Sequence, residues 1–467
     1  MNFSSSLFQK MAQNTASGTL IRALGLREAT ALNMIDMVGI GPFVVLPLVI
    51  QYMNGPQAII AWIAGALLAV IDGCIWAELG AKMPLAGGSY AFLKESYGNA
   101  TWGRIMSFLF IWQTVFQAPL VIASGAIGFS QYFSYLYPVD GILQKAVSGL
   151  IVLLIFALLY RNIQQIGKIS VFMWIAVLGT MLWLIAGGMM NFNPSIAFDF
   201  PPDAFALTPL FFAGLGQAML KTVYSYLGYY NVCHLGAEIK QPEKNIPRSI
   251  FISIFGIAIL YLALQLSISG IIPWREAAAS PFIVSTFVEK LYGGTAARIA
   301  TGLVLVIAFS SLFAVVLGYS RIPYAAAKDN AFFSIFAKVH PKRNFPHISL
   351  IILCSIALIF SLLFKMSEVI KAIVAMRALV QFIGGAVGLL LLRKRLGATA
   401  FPFKMWLYPL PVILAILIWL ALFLSTGIFA LYGAAFIVAG LIVYFIRAKL
   451  RREFPFQSME NISGIEG

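Results

Sequence analysis

Apolar residues in this chain come in long blocks, and polar residues punctuate them. The blocks fall at roughly 29–51, 57–81, 103–136, 143–160, 166–190, 208–236, 248–272, 297–325, 347–364, 368–392, 404–425 and 427–447. A helix needs about 20 residues to cross a hydrocarbon layer about 30 Å thick. The pattern therefore predicts about twelve membrane helices. Between the seventh and eighth blocks, Ser280 to Lys290 reads as a short amphipathic element outside the membrane.

The charges on the connecting segments test that count. With the N-terminus placed inside, 24 of the 32 Lys and Arg fall on inner segments and six on outer ones. The other two, Lys221 and Arg377, lie inside blocks. Positive residues gather on cytoplasmic loops, so both termini are expected in the cytoplasm and the chain in the cell membrane. Residues 1–27 are mixed polar and carry no apolar core with a cleavage site, so no signal peptide is expected.

Composition narrows the class. The 467 residues are 61% hydrophobic and 10% charged, against about 45–50% and about 25% in soluble domains. A soluble enzyme, a disordered chain and a nucleic-acid partner are thereby excluded. The net charge of +15 reads as topology rather than as a nucleic-acid footprint. Cys74, Cys233 and Cys354 lie inside apolar blocks without metal-type spacing. No Walker motif supports ATP drive, and no hydrolase or zinc motif supports catalysis. His234, His340 and His347 are the only histidines, a poor pool for acid–base work. No resident cofactor is expected.

Two blocks carry interruptions. The first contains Val38-Gly-Ile-Gly-Pro-Phe43. Proline removes an amide and clashes one turn back, yet it suits the start of a new helix. A backbone break at membrane depth implies a protein-lined cavity. The amides around Gly41, Phe43 and Val44 would then point into it, at a helix N-terminus that attracts carboxylates. The bland reading is a pair of small residues at a helix contact. The sixth block has Gly228 amid aromatic and polar residues. First and sixth blocks each begin a set of five, and corresponding interruptions in two repeats point to a transporter's binding site.

At this point a resemblance enters. Val38-Gly-Ile-Gly-Pro-Phe43 is similar to the first-helix break of the amino acid–polyamine–organocation (APC) permeases. The segment Ala77-Glu-Leu-Gly-Ala-Lys-Met-Pro-Leu-Ala-Gly-Gly-Ser-Tyr90 and its continuation to Gly98 resemble that family's signature at the second-helix exit. Tyr226-Leu-Gly-Tyr-Tyr230 and Ala237-Glu-Ile-Lys-Gln-Pro-Glu-Lys-Asn-Ile-Pro-Arg248 resemble its sixth helix and exit loop. The resemblance covers roughly 25–330 well and the rest by hydropathy. It implies an all-α membrane protein of the leucine-transporter fold, with helices 1 and 6 broken. The expected parts are a cytoplasmic segment 1–27, inverted five-helix repeats at 28–190 and 208–392, peripheral helices at 404–447 and a cytoplasmic tail 448–467. By position, the backbone near Ile40, Gly41 and Phe43 is implied to hold an α-carboxylate. Carbonyls of Met37, Val38, Tyr224, Ser225 and Leu227 are implied to hold an α-ammonium, and Tyr226 to gate or wall the pocket. Pro42 departs from the pattern and removes one donor. Ala237 stands where many relatives carry a second acid before Glu238.

The remaining polar groups in the blocks complete the candidates, since ionisable groups in a membrane are costly. Asp36 is either a packing carboxylate or a coupling group. Asp72 and Glu78 share the second helix, and Glu78 is expected to brace the inner gate. Glu238 and Arg248 are expected to make structural contacts. Lys221 and Arg377 are expected to form a basic outer vestibule or else to snorkel. Gln113 and Gln117 share a face one turn apart, toward substrate or toward a neighbouring helix. Ser310 and Ser311, with the Val38 carbonyl, form a possible sodium site, a hard cation preferring oxygen ligands. Proton coupling through Asp36, Glu78 or His234 stands beside it, while the fifth helix has only Lys168 at its inner end. The expected activity is alternating-access transport of amino acids, neutral ones first, by ion coupling or exchange. Polyamine or cationic substrates, acidic substrates, and a non-transporting nutrient sensor are the alternatives. The expected partners are a small amino acid and the lipid bilayer, and the sequence has no signal that separates a monomer from a homo-oligomer.

Overall fold

The computed structural model describes residues 20–161, 163–363 and 369–456. Most of the segment 1–27, the end of the tail 448–467 and Lys365 therefore lie outside the described residues. Among those described, no β-strand forms; two isolated bridges, Leu24 with Ile239 and Ala86 with Leu235, are the only β contacts. Each of the twelve apolar blocks carries a helix. In chain order these are α1 (Leu26–Met37), α2 (Gly41–Met53), α3 (Ile59–Lys82), α4 (Ser89–Ser96), α5 (Trp102–Leu136), α6 (Gly141–Leu159), α7 (Ile163–Met190) and α8 (Pro209–Tyr226). There follow α9 (Asn231–His234), α10 (Pro242–Ser269), α11 (Ile283–Tyr292), α12 (Gly294–Tyr319), α13 (Arg321–Lys328), α14 (His347–Leu363), α15 (Val369–Arg377), α16 (Gly384–Leu396), α17 (Leu410–Ser425) and α18 (Ile428–Arg451).

Eight helical stretches among the described residues have the length and apolarity of a full crossing. The α1–α2 pair, bent by 46° at its break, adds a ninth when joined. Three blocks hold shorter helices: α8, α14 and α17. Backbone groups in hydrocarbon have no water to bond, so helices satisfy them internally. The amphipathic element predicted near 280–290 is α11, which buries Ile283, Val284, Phe287 and Val288 and exposes Glu289 and Lys290.

Packing is strongest between helices that occupy the same place in the two sets of five. The second block packs on the seventh (α3 on α10), the third on the eighth (α5 on α12), and the first on the sixth (α2 on α8). The last two helices, α17 and α18, lie against α3, α5, α15 and the turn Ala378–Ile383 that follows it. Two buried ion pairs close one end of this bundle. Glu238 receives both Nε and Nη2 of Arg321, at 2.8 and 3.1 Å. Glu78 receives Arg393 in the same two-pronged way and accepts the Met405 amide at 2.9 Å. Such bidentate pairs are the strong form of a charged hydrogen bond. Glu78 thus ties α3 to α16 and to the segment before α17. Glu238 ties the sixth-helix exit to α13 through Arg321, while Arg248 is exposed on the first turns of α10.

Candidate functional site

The break in the first helix occupies Val38, Gly39 and Ile40. Val38 ends α1 by donating its amide to the Met34 carbonyl at 2.9 Å. Its own carbonyl would serve residue 42 in a continuing helix, and Pro42 has no amide to give. Gly39 gives Ser311 its room: a Cβ on it would lie 2.6 Å from the Ser311 Oγ, which would have to shift. From Gly41 the chain resumes as α2. The amides of Ile40, Gly41 and Phe43 donate to no acceptor among the described residues, while that of Val44 returns to the Ile40 carbonyl at 3.2 Å. Three of the first-turn donors are thus open, as the proline at 42 and the glycines beside it anticipate, and Val44 is removed from the set.

The break in the sixth helix is built differently. Helix α8 ends at Tyr226, and Gly228 takes φ = +129°. A Cβ at Gly228 would lie 2.8 Å from the Met37 amide nitrogen and 2.9 Å from the Asp36 carboxyl carbon. The two breaks touch backbone to backbone, which only glycine permits. After the break the chain forms just the four-residue α9 and a 3-10 turn. The sixth block therefore does not resume as a second long half-helix.

Between the two breaks lies a cavity lined from both. Of the residues singled out from sequence, Met37, Ile40, Gly41, Tyr224, Ser225 and Leu227 line it, with Asp36, Ser311 and Arg377. His234 also faces it, boxed by the rings of Trp76, Tyr230 and Tyr319. Arg377 is the largest surprise. It sits not in an outer vestibule with Lys221 but in the wall of this cavity, where α15 passes into the π-helical turn Ala378–Ile383. Such turns are frequent at functional sites. Its Nη1 donates to the Tyr230 hydroxyl at 2.5 Å, and its guanidinium lies 5.4 Å from the centre of the Tyr319 ring. Lys221 is buried elsewhere on α8 and does not line this cavity.

Several expectations fail on geometry. Gln113 and Gln117 do not reach the cavity. The same face of α5 does so one and two turns later, through Val121 and Gly125. Gln117 touches the site only through the Tyr319 hydroxyl, at 3.5 Å. Tyr226 points away, its ring packed against Trp62 and Tyr261. The Val38 and Phe43 side chains are in the core, and neither residue lines the cavity. Ser311 donates to the Asp36 carbonyl at 3.1 Å and so meets the first break. Ser310 turns back to the Val306 carbonyl of its own helix, at 2.7 Å. The two hydroxyls do not converge, and the oxygen set expected for sodium does not fit. Asp72 is held away from the cavity, accepting from Trp76, Trp419 and the Tyr229 hydroxyl.

Tyr261 was not foreseen. Its hydroxyl lies 2.6 Å from the Met37 carbonyl and 3.2 Å from that of Ser225. Two carbonyls expected to hold an ammonium therefore already have a donor. A tyrosine in the middle of an apolar block has no sequence signal that separates it from core. Tyr230 and Asn231 did stand in the sixth-block motif. Asn231 donates to the Ala314 carbonyl at 2.9 Å, locking the break to α12.

A polytopic helical protein with two mutually packed helix breaks around a polar central cavity belongs to the class of membrane carriers. The sequence matches the amino acid permease family over residues 24–448. The chain belongs to that family, within the APC superfamily, and is an amino acid transporter. Similar curated proteins include the methylthioribose transporter of Bacillus subtilis (strain 168), 26% identical over 95% of this chain and 98% of that one. The branched-chain amino acid permease BcaP of the same organism is 25% identical over 94% and 96%. Its serine/threonine exchanger SteT is 26% identical over 86% and 90%.

Proposed function

We propose that the chain carries α-amino acids across the cell membrane by alternating access and performs no covalent chemistry. The observation that carries this reading is the open end of α2. Amides of Ile40, Gly41 and Phe43 with no internal acceptor, at a helix N-terminus facing a cavity, suit a carboxylate. Asp36 and the carbonyls of Val38 and Leu227 offer the opposite polarity nearby, for an ammonium. The helices at 28–190 and 208–392 would be the two moving sets, turning about the touching breaks, with 404–447 as a peripheral pair. Both termini lie on the cytoplasmic side in this reading. The excess of Lys and Arg on those segments supports it, and so does the pairing of Leu24 with Ile239, which puts the N-terminal segment beside the sixth-helix exit.

With no converging sodium ligands, the coupling we favour is proton symport or exchange, with Asp36 as the ionisable group at the break. Arg377 in the cavity disfavours polyamines and cationic amino acids. The names of the similar proteins span a thioribose, branched-chain amino acids and Ser/Thr, so similarity leaves the side chain open. Thermal unfolding of the purified protein with each of the twenty amino acids tests the reading, because a ligand of the native state raises apparent stability by mass action. Uptake into proteoliposomes follows. A stabilising amino acid that also crosses the bilayer supports a carrier. Stabilisation without flux identifies a sensor, and no stabilisation by any amino acid overturns the proposal.

A further inference from the structure

We infer that Arg377 reads the end of the substrate's side chain, and that the preferred substrates are amino acids with a side-chain carboxylate. This rests on the reading above that an α-amino acid binds at the α1–α2 break. Arg377 is 4% exposed and lines the central cavity. It makes no ion pair among the described residues. Only Nη1 is engaged, by Tyr230; Nε and Nη2 donate to no acceptor among the described residues. Asp36 acts on it electrostatically from the same cavity but does not touch it, and a guanidinium held in a membrane interior with no carboxylate bonded to it is expensive. The other deeply buried arginines show the contrast. Arg321 and Arg393 each put two nitrogens on a glutamate. Arg377 keeps the same fork and has no protein carboxylate on it.

Asp36 is the cavity's other charge, set against Gly228 and likewise without an ion pair. With the α2 amides it gives three points of recognition. The amides take the α-carboxylate, and Asp36 draws the ammonium. Arg377 is the third point, a planar fork that suits a second carboxylate better than any other side-chain group. Val121, Leu312, Val315 and Ile373 are the apolar wall beside it, a sheath for the intervening methylenes. Tyr230, from the sixth-helix break, holds the fork in place. The sequence-based preference for neutral substrates changes for this reason: the arginine assigned to a vestibule stands in the binding cavity. A site built to bond a polar group strongly rejects an analogue that lacks it.

The test uses the full chain in proteoliposomes. Glutamate, aspartate, glutamine, leucine and lysine compete for uptake of whichever amino acid stabilises the protein most. Glutamate or aspartate should compete at least tenfold better than leucine, glutamine should fall between, and lysine should be weakest. Arg377→Gln should lower the glutamate-to-leucine ratio at least tenfold. Arg377→Lys, which keeps the charge and loses the fork, should lower it less. Leucine equal to or better than glutamate in the unaltered protein overturns the inference without recourse to a variant. An unchanged ratio in Arg377→Gln overturns the role of the residue. No competition by any amino acid overturns the underlying reading instead. Because each readout is a ratio within one preparation, partial misfolding does not imitate the result.

Discussion

The two helix breaks face one cavity, yet they are made by different means. The first needs three residues, no positive φ, and a proline whose missing amide frees the Val38 carbonyl. It ends in a 13-residue helix that aims its N-terminus at the cavity. The second depends on one glycine at φ = +129° and is followed by only four helical residues. It offers instead the C-terminus of the 18-residue α8. The first break thus presents open amides and, at the end of α1, Asp36 and the Val38 carbonyl, whereas the second adds acceptors alone, chiefly the Leu227 carbonyl. In the proposed reading the donors for a carboxylate come from one break and the acceptors for an ammonium from both.

That contrast can be broken in order of severity. Gly228→Ala should be the most damaging change. The new Cβ meets backbone atoms of Asp36 and Met37, which have nowhere to go, and the conformation alone costs about 1–3 kcal/mol in a residue other than glycine. Transport should be lost and the unfolding temperature of the purified protein should fall; wild-type uptake would show that the breaks do not touch. Gly39→Ala comes next. Its obstacle is the Ser311 Oγ, the movable end of a side chain, so substrate affinity should drop about tenfold. Ser311→Gly in the same chain should restore part of it, measured as a double-mutant cycle.

Tyr261→Phe removes a hydroxyl shared by both breaks. A hydrogen bond contributes about 0.5–1.5 kcal/mol net, so apparent affinity should fall roughly threefold to tenfold. Gly41→Ala should do least. Its Cβ would find the Tyr224 ring at 3.4 Å, an ordinary contact, and binding should stay within about threefold. A larger loss from Gly41→Ala than from Gly39→Ala would reverse the assignment of the tight point. Gly41→Leu, by contrast, should abolish binding by filling the space before the amides.

The sequence made the breaks legible because their causes are local. Val38-Gly-Ile-Gly-Pro-Phe43 cannot continue a helix, and Gly228 amid aromatics marks the second break. The helical blocks follow from hydropathy in the same way. What escaped is rotation and depth. Ser310 and Ser311 are adjacent, so only one can face the break, and the block does not say which. Gln113 and Gln117 share the correct face of α5, but the cavity lies one turn beyond. Arg377 reads as a vestibule charge because hydropathy fixes a residue's place along a helix, not what lies across from it. The break at Gly228 is legible, but not that only short turns follow it, because those turns are as apolar as a helix. Glu238 was rightly given a structural task, but its partner Arg321 lies 83 positions along the chain, where no local pattern reaches.

The Tyr261 hydroxyl owns a single proton and faces two carbonyls, at Met37 and Ser225. The Met37 carbonyl also accepts the Gly39 amide, at 3.1 Å, so it keeps a donor whichever way the hydroxyl turns, and the Ser225 carbonyl is the one left over when the proton goes to Met37. In the proposed reading that carbonyl is the acceptor open to an incoming ammonium, and in electrical terms the hydroxyl is a selector between the two breaks.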